Sequence, residues 1–287
     1  MASARLPGKV LLPAGGRPLL EILVERLQRA PGLDGVVIAT TRNETDEPIV
    51  ALGQRLGVGV FRGSEHDVLG RVCGALRASG ADVCVEITGD CPLIDPEIVG
   101  EALAEFLRTR ADHPYVSNSD PHRAVPAGLD VQVFFASALF QLDATTGDPE
   151  DREHVSYGFY RPESHDRWRP RFIRHAACAG AEELLVTLDF PEDYDLIRRL
   201  HEELAPADPH YSAADIVRWI RAHPELVRAT VLIKKAAAAA NAATGRLPSH
   251  VARAIVKAAD EARTPRFADQ FVVDVYPAGA GTSHNMN

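Results

Sequence analysis

Two aspartates stand where apolar runs end. Asp90 closes Ile87-Thr88-Gly89-Asp90, just before Cys91-Pro92, and Asp189 closes Leu184-Leu185-Val186-Thr187-Leu188-Asp189, just before Phe190-Pro191. Each run reads as a buried strand, so each carboxylate is expected at a strand's carboxyl tip, where open α/β sheets bind ligands. Such a pair suits Mg²⁺, which takes one or two protein carboxylates together with phosphate oxygens and water. A plainer role for Asp90 or Asp95 is to cap the helix that follows. Glu192 and Asp193 lie in a first helical turn, where their charge favours the helix dipole and a structural role is enough. Near the amino end, Ser3-Ala4-Arg5-Leu6-Pro7-Gly8-Lys9 sets a glycine beside two cations just before a helix. That arrangement can hold a polyphosphate, although it lacks the GxxxxGK[ST] spacing of a P-loop and is also compatible with an ordinary surface loop. Asp130 opens the alternating run Val131-Gln132-Val133-Phe134. Asp151-Arg152-Glu153-His154 begins a charged helix that can present Arg152, Glu153 or His154 to a polar substrate or simply to solvent.

The elements that must position these groups alternate. Residues 35–40, 58–61 and 82–87 read as buried strands. Residues 18–29, 46–56, 67–79 and 96–108 read as helices, with Asp46 and Asp67 at two starts and Pro96 in a first turn. Apolar strands alternating with amphipathic helices predict a parallel α/β sheet, Rossmann-like, with helices on both faces. The loop over residues 6–16 leads into the first helix as a phosphate loop does, but such a loop normally leaves a central strand. No strand precedes it, so a missing first strand is inferred.

Composition narrows the function classes. The chain has 287 residues, 46% hydrophobic and 25% charged, which is a globular balance. With 31 basic and 40 acidic residues the net charge is -9, unsuited to general nucleic-acid binding. No apolar run approaches the ~20 residues of a membrane helix, and the first residues have no signal-peptide design. Cys73, Cys84, Cys91 and Cys178 form no CxxC pair, so neither a disulfide framework nor a cysteine zinc site is indicated. The expectation is a cytoplasmic enzyme with no membrane or nucleic-acid partner. From Arg228 onward the charge turns to +4, against -13 for residues 1–227, and Ala236 to Ala240 are unbroken. This shift predicts a boundary near residue 227, with an alanine-rich helix over 226–244.

The motifs SARLPGKVLL, PLLEILVERL, VFRGSEHDVLGR, ITGDCPLIDPEIV, GLDVQVF, REHV and VTLDFPEDY follow one another in this order. In that set residues 1–227 resemble cytidylyltransferases, in the branch associated with spore-coat polysaccharide biosynthesis and related to acylneuraminate cytidylyltransferases. The resemblance implies CTP-dependent nucleotidyl transfer to a sugar or sugar acid, with pyrophosphate released and a homodimer allowed. It implies that Ser3, Arg5 and Lys9 hold the triphosphate, that Arg62, Ser64, Asp67 and Arg71 shape the nucleotide side, and that Asp130, Glu153 and His154 face the acceptor. It places Mg²⁺ on Asp90 and Asp189, which with Arg5 and Lys9 form the catalytic set. Residues 228–287 resemble an incomplete piece of the aspartase/fumarase lyases, whose dicarboxylate-binding loop is matched by GTSHNMN with Thr282, Ser283 and Asn285. Alternatives to a plain cytidylyltransferase are therefore part of a bifunctional fusion with a lyase, or a truncated or chimeric frame without activity.

Overall fold

The computed structural model describes Ser3, residues 5–119 and 123–223, and residues 251, 253 and 255–257. The boundary near 227, the helix expected over 226–244, and Thr282, Ser283 and Asn285 lie outside the described residues. The chain enters through a 3-10 turn, Lys9–Leu11, approached through Gly8 at φ 71°. A short hairpin, β1 (Pro13–Ala14) and β2 (Arg17–Pro18), then leads into α1 (Leu19–Gln28). Next come β3 (Val37–Thr41), α2 (Glu47–Arg55), β4 (Gly59–Gly63), α3 (Val68–Ser79), β5 (Val83–Glu86), α4 (Pro96–Thr109) and β6 (Tyr115–Ser117). After β7 (Gln132–Phe135) follow α5 (Ala136–Thr145), α6 (Pro149–His154), α7 (Tyr157–Tyr160), α8 (His165–Trp168), β8 (Arg171–Phe172), α9 (Pro191–Leu204) and α10 (Ala213–Ala222).

Local chemistry explains several boundaries. Asp67 caps α3 by accepting the Gly70 N–H at 2.9 Å, and Asp95 caps α4 by accepting the Glu97 N–H at 2.9 Å. The other Asp95 oxygen accepts the Ala213 N–H and ties α4 to α10. Asp46 behaves differently from a cap. It accepts the Thr40 and Thr41 hydroxyls at 2.7 Å each, fastening the end of β3 to the start of α2.

The sheet departs from the parallel expectation. β3 and β4 pair in parallel, with Val37 opposite Gly59. A second sheet has the order β5-β7-β6-β8, in which β7 is antiparallel to both β5 and β6, while β6 and β8 are parallel. The reason is the connection. A parallel neighbour needs a long crossover, usually a helix, whereas no helix stands between β6 and β7 among the described residues. The run 184–188 forms no strand ladder. It is extended and makes one parallel bridge, Ala127 to Leu185, with Val186 N–H donating to Ala127 O at 2.7 Å.

Helices do cover both faces. Neighbouring residues point to opposite sides of a strand. Accordingly Val116 and Val133 join the core under α1, α4 and α10, while Tyr115 and Phe134 join an aromatic core with Phe159, Tyr160 and Trp168. Among the described residues, no helix is long and apolar enough to cross a membrane.

One buried cation holds the site's scaffold. Arg26 of α1 is 2% exposed, donates from Nε to Ile94 O at 2.6 Å and from Nη2 to Tyr211 O at 2.9 Å, and stacks on the Tyr211 ring. Arg26→Met strands two buried carbonyls and removes charge-assisted bonds, so it should cost about 2–4 kcal/mol. Urea unfolding reads this directly, and a cost under about 1 kcal/mol would contradict the anchoring role.

Candidate functional site

The site forms where the loop after β5 meets the end of the extended run 184–188. Leu188 N–H donates to Asp90 O at 2.9 Å, so backbone pairing brings the two acidic tips together. Lys9 lies between them, with Nζ 2.9 Å from Asp189 Oδ1 and 3.8 Å from Asp90 Oδ2. Arg5 Nη2 reaches the same Asp189 oxygen at 3.0 Å, and its guanidinium sits 5.1 Å from the Phe190 ring centroid. Two cations and two carboxylates, 99 residues apart within the acidic pair, thus share one partly buried cluster.

A set of positioning contacts surrounds this cluster. The Thr88 hydroxyl donates to Asp90 Oδ1, and the Cys91 thiol approaches the same oxygen at 3.6 Å. Asp193, in the first turn of α9, accepts the backbone N–H of Asp189 at 3.0 Å and of Phe190 at 2.8 Å. It holds the backbone that carries the Asp189 carboxylate. Thr88 is a position that motif reading did not single out, whereas Asp193 has the structural role its place in a first helical turn suggested. An aspartate three residues into a proline-started helix was the available signal, because such a side chain caps back onto the preceding N–H groups.

A cavity of about 880 Å³ opens beside the cluster, and Thr88, Asp90, Asp130, Glu153, His154 and Asp189 line it. Asp130 is held by Arg123 Nη1 at 2.6 Å and by the Gly128 N–H at 2.9 Å. Arg123 likewise was not singled out by the sequence reading. Arg71 also lines the cavity, while one of its nitrogens donates to Ser64 O.

Other expected site residues make local contacts. Ser3 Oγ accepts the Leu6 N–H at 3.2 Å and closes the first turn of the loop. Arg62 donates to Thr41 O at 3.1 Å and Asn43 O at 3.0 Å, bracing the end of β3. Ser64 Oγ accepts the His66 and Asp67 N–H groups, and Asp67 caps α3. Arg152 binds Asp143 Oδ1 at 2.7 Å and the carbonyls of Asp143 and Thr146, joining α5 to α6. Arg62, Ser64, Asp67 and Arg152 do not line the cavity.

The carboxylates of the cluster suit a divalent cation. Asp90 and Asp189 are oxygen donors that already face one shared positive centre, the Lys9 ammonium, and this fits a hard ion completing its shell with phosphate and water. Among the described residues no group of three or more His, Cys, Asp or Glu side chains converges, so a site held by protein ligands alone is not indicated. Thiol chemistry is disfavoured as well. All four cysteines are buried, and burial pushes the Cys73 thiol up to about 12 and Cys178 up to about 11.

Glu86, on β5 at the inner end of the cavity, has one carboxyl oxygen sealed from solvent without a partner. Burial pushes its carboxyl up to about 7 from an ordinary 4.5, with the Ser156 hydroxyl opposing the shift. A carboxyl that is more basic when folded contributes stability fully below about pH 4.5 and loses it as pH rises through 7. Glu86→Gln should therefore raise the melting temperature more at pH 8 than at pH 5. Equal shifts at both pH values, read by thermal unfolding, would refute the assignment.

The comparisons with known proteins identify the family. The cytidylyltransferase family model matches residues 1–216. Over 230 residues the chain is 31% identical to the spore coat polysaccharide biosynthesis protein SpsF of Bacillus subtilis, covering 78% of this chain and 92% of that protein. The fold matches the structure of a cytidylyltransferase from Leptospira borgpetersenii with a TM-score of 0.72 and 29% identity, covering 79% of this chain and 92% of that one. A separate 65-residue stretch is 54% identical to the aspartate ammonia-lyase of Escherichia coli, covering 22% of this chain and 14% of that enzyme. By the span of the family match and the relatives that share it, this chain belongs to the cytidylyltransferases, a family of nucleotidyltransferase enzymes.

Proposed function

We propose that the chain transfers a cytidylyl group from CTP to a sugar or sugar acid destined for polysaccharide or glycan synthesis. The observation that carries this reading is the Arg5–Lys9–Asp90–Asp189 cluster beside a cavity that Asp130, Glu153 and His154 also line. In the reaction an acceptor oxygen attacks the α-phosphorus of CTP, the bond from that phosphorus to the bridging oxygen breaks, and pyrophosphate departs. Arg5 and Lys9 neutralise the charge that develops on the departing phosphates. Asp130, fixed by Arg123 and Gly128, with Glu153 and His154 across the cavity, orients the acceptor hydroxyls. Bound at Asp90 and Asp189, Mg²⁺ would supply Lewis-acid stabilisation of phosphate charge. Thr88 and Asp193 keep those carboxylates in place.

The test is pyrophosphate release by the purified chain with Mg²⁺, each of the four nucleoside triphosphates and a panel of sugar acids. CTP should be preferred, and release should need an acceptor. Equal turnover of all four triphosphates would reject the cytidylyl reading.

The lyase-like tail is proposed to supply no elimination chemistry of its own. Thr282, Ser283 and Asn285 can anchor a dicarboxylate, but elimination also needs a base and a site for carbanion charge. Steady fumarate formation from aspartate, lost in Ser283→Ala, would overturn this.

A further inference from the structure

Away from the phosphate-facing cluster, the cavity has a polar wall built by strand register. β5 and β6 both pair with β7, and the pairing sets Glu86 and Ser117 on either side of Gln132. Directly opposed residues share one face of a sheet, so Glu86, Gln132 and Ser117 form a row. The row lies on the face of Cys84, Phe134 and Tyr115, because residues two apart on a strand point the same way. Ser117 Oγ and Ser119 Oγ stand 2.9 Å apart, and Gln132 Nε2 donates to Ser119 Oγ at 3.3 Å. Glu86, Ser119, Gln132 and Ser156 all line the cavity.

Glu86 is the exception in this row. One of its carboxyl oxygens is sealed without a partner, and among the described residues no basic side chain pairs with it. The buried Tyr115 hydroxyl lies close to Glu86 and Ser156, so the carboxylate has hydroxyl neighbours and no cation. An ionised carboxylate only accepts hydrogen bonds, and a buried one calls for a donor. The arginines that line the cavity are committed elsewhere. Arg123 Nη1 holds Asp130 at 2.6 Å, and Arg71 donates to Ser64 O. Asp130 and Glu153 add negative charge to the same cavity, with the His154 imidazole also in its lining. A positively charged group on the acceptor is attracted there.

We propose that Glu86 determines acceptor specificity, and that the acceptor is an aminohexose whose free, protonated primary amine binds the Glu86 carboxylate. This rests on the cytidylyl-transfer reading for the reacting end of the sugar. Four residues separate Glu86 from Asp90, which bounds the span between them at about 14 Å. A monosaccharide with its reacting oxygen at the cluster can therefore set a ring substituent against Glu86. Burial without a cation pushes the Glu86 carboxyl up to about 7, and an ammonium in contact offsets that cost. An N-acylated amine has lost the charge and a plain hydroxyl never had it, so both are bound less tightly.

The experiment titrates the full 287-residue chain by calorimetry, with and without a methylene-bridged CTP analogue that cannot be transferred. The probes are glucosamine, kanosamine and viosamine, each compared with its N-acetyl form and with the hydroxyl sugar it derives from. At least one free amine should bind about tenfold or more tighter than both of its neutral counterparts. Glu86→Gln should erase that preference and leave the N-acetyl form bound as before. Free amines that bind no better than their neutral counterparts, or not at all, would overturn the proposal. So would a preference that survives Glu86→Gln. If that variant does not fold, the comparison of free with acylated amines on the parent chain still decides. Adding the same sugars to the pyrophosphate-release panel separates the two readings. An amine preference in binding without CTP turnover leaves the subsite standing and rejects cytidylyl transfer. Turnover of CTP with no amine preference rejects the subsite alone.

Discussion

Asp90→Asn should lower CTP-dependent pyrophosphate release at least ~100-fold, close to 3 kcal/mol of transition-state stabilisation. The substitution keeps the size of the side chain and an oxygen for the Thr88 hydroxyl, but removes the charge. Asp90 is only partly buried and makes no helix cap, so the fold should tolerate the change. Asp189→Asn should lower turnover to a similar extent and also loosen the amino-terminal loop, because Arg5 and Lys9 both bind the same Asp189 oxygen. Asp130→Asn makes a useful contrast, since loss of an acceptor-orienting group should appear mainly as a higher KM for the sugar. Circular dichroism and steady-state kinetics on the purified variants check all three. More than a tenth of parental turnover in Asp90→Asn would remove this carboxylate from the catalytic set.

Gly128→Ala should be the most damaging single substitution for stability near the site. Gly128 has φ +102°, and a Cβ there would lie 2.6 Å from the carbonyl carbon and oxygen of Val186 and 2.8 Å from Thr187 N. These are backbone atoms, so no side-chain rotation relieves the clash. Backbone strain and overpacking each cost about 1–3 kcal/mol, which together predict a loss near 3–5 kcal/mol. The displaced segment is the one that ends in Asp189, so activity should fall with stability. Gly16→Ala isolates the strain, because Gly16 has φ +76° with nothing within 4 Å of the added atom. It should lose only about 1–2 kcal/mol. Urea unfolding of the pair settles the comparison, and equal losses would show that close packing at Gly128 is unimportant.

How much of this was legible beforehand depends on the range of the interaction. Helices α1 to α4 agree with the sequence expectation to within one or two residues, because apolar spacing, aspartate caps and prolines are local signals. Strands β3, β4 and β5 were equally plain, as short apolar runs between turns. The two acidic tips announced themselves because an aspartate closing an apolar run is unusual, and the amino-terminal cations stood out beside Gly8.

What the sequence did not disclose was pairing. The antiparallel entry of β7 between β5 and β6 depends on how the loop over 123–131 returns, and nothing in the residue types records that path. The run 184–188 is apolar enough for a strand, yet it docks through a single bridge because its neighbours are Ala127 and Asp90 rather than a free ladder. Arg62 and Arg152 carry chemistry-bearing side chains that longer-range contacts use for bracing, while Ser64 and Asp67 make local turn and cap bonds. Thr88, Arg123 and Asp193, less conspicuous in a motif, are the groups that orient the carboxylates. Residue type and spacing determined which elements form and which charges stand at their ends. Only the tertiary structure decided which charges meet, because a contact across 99 or 180 residues is set by strand order and loop path, which local periodicity does not encode.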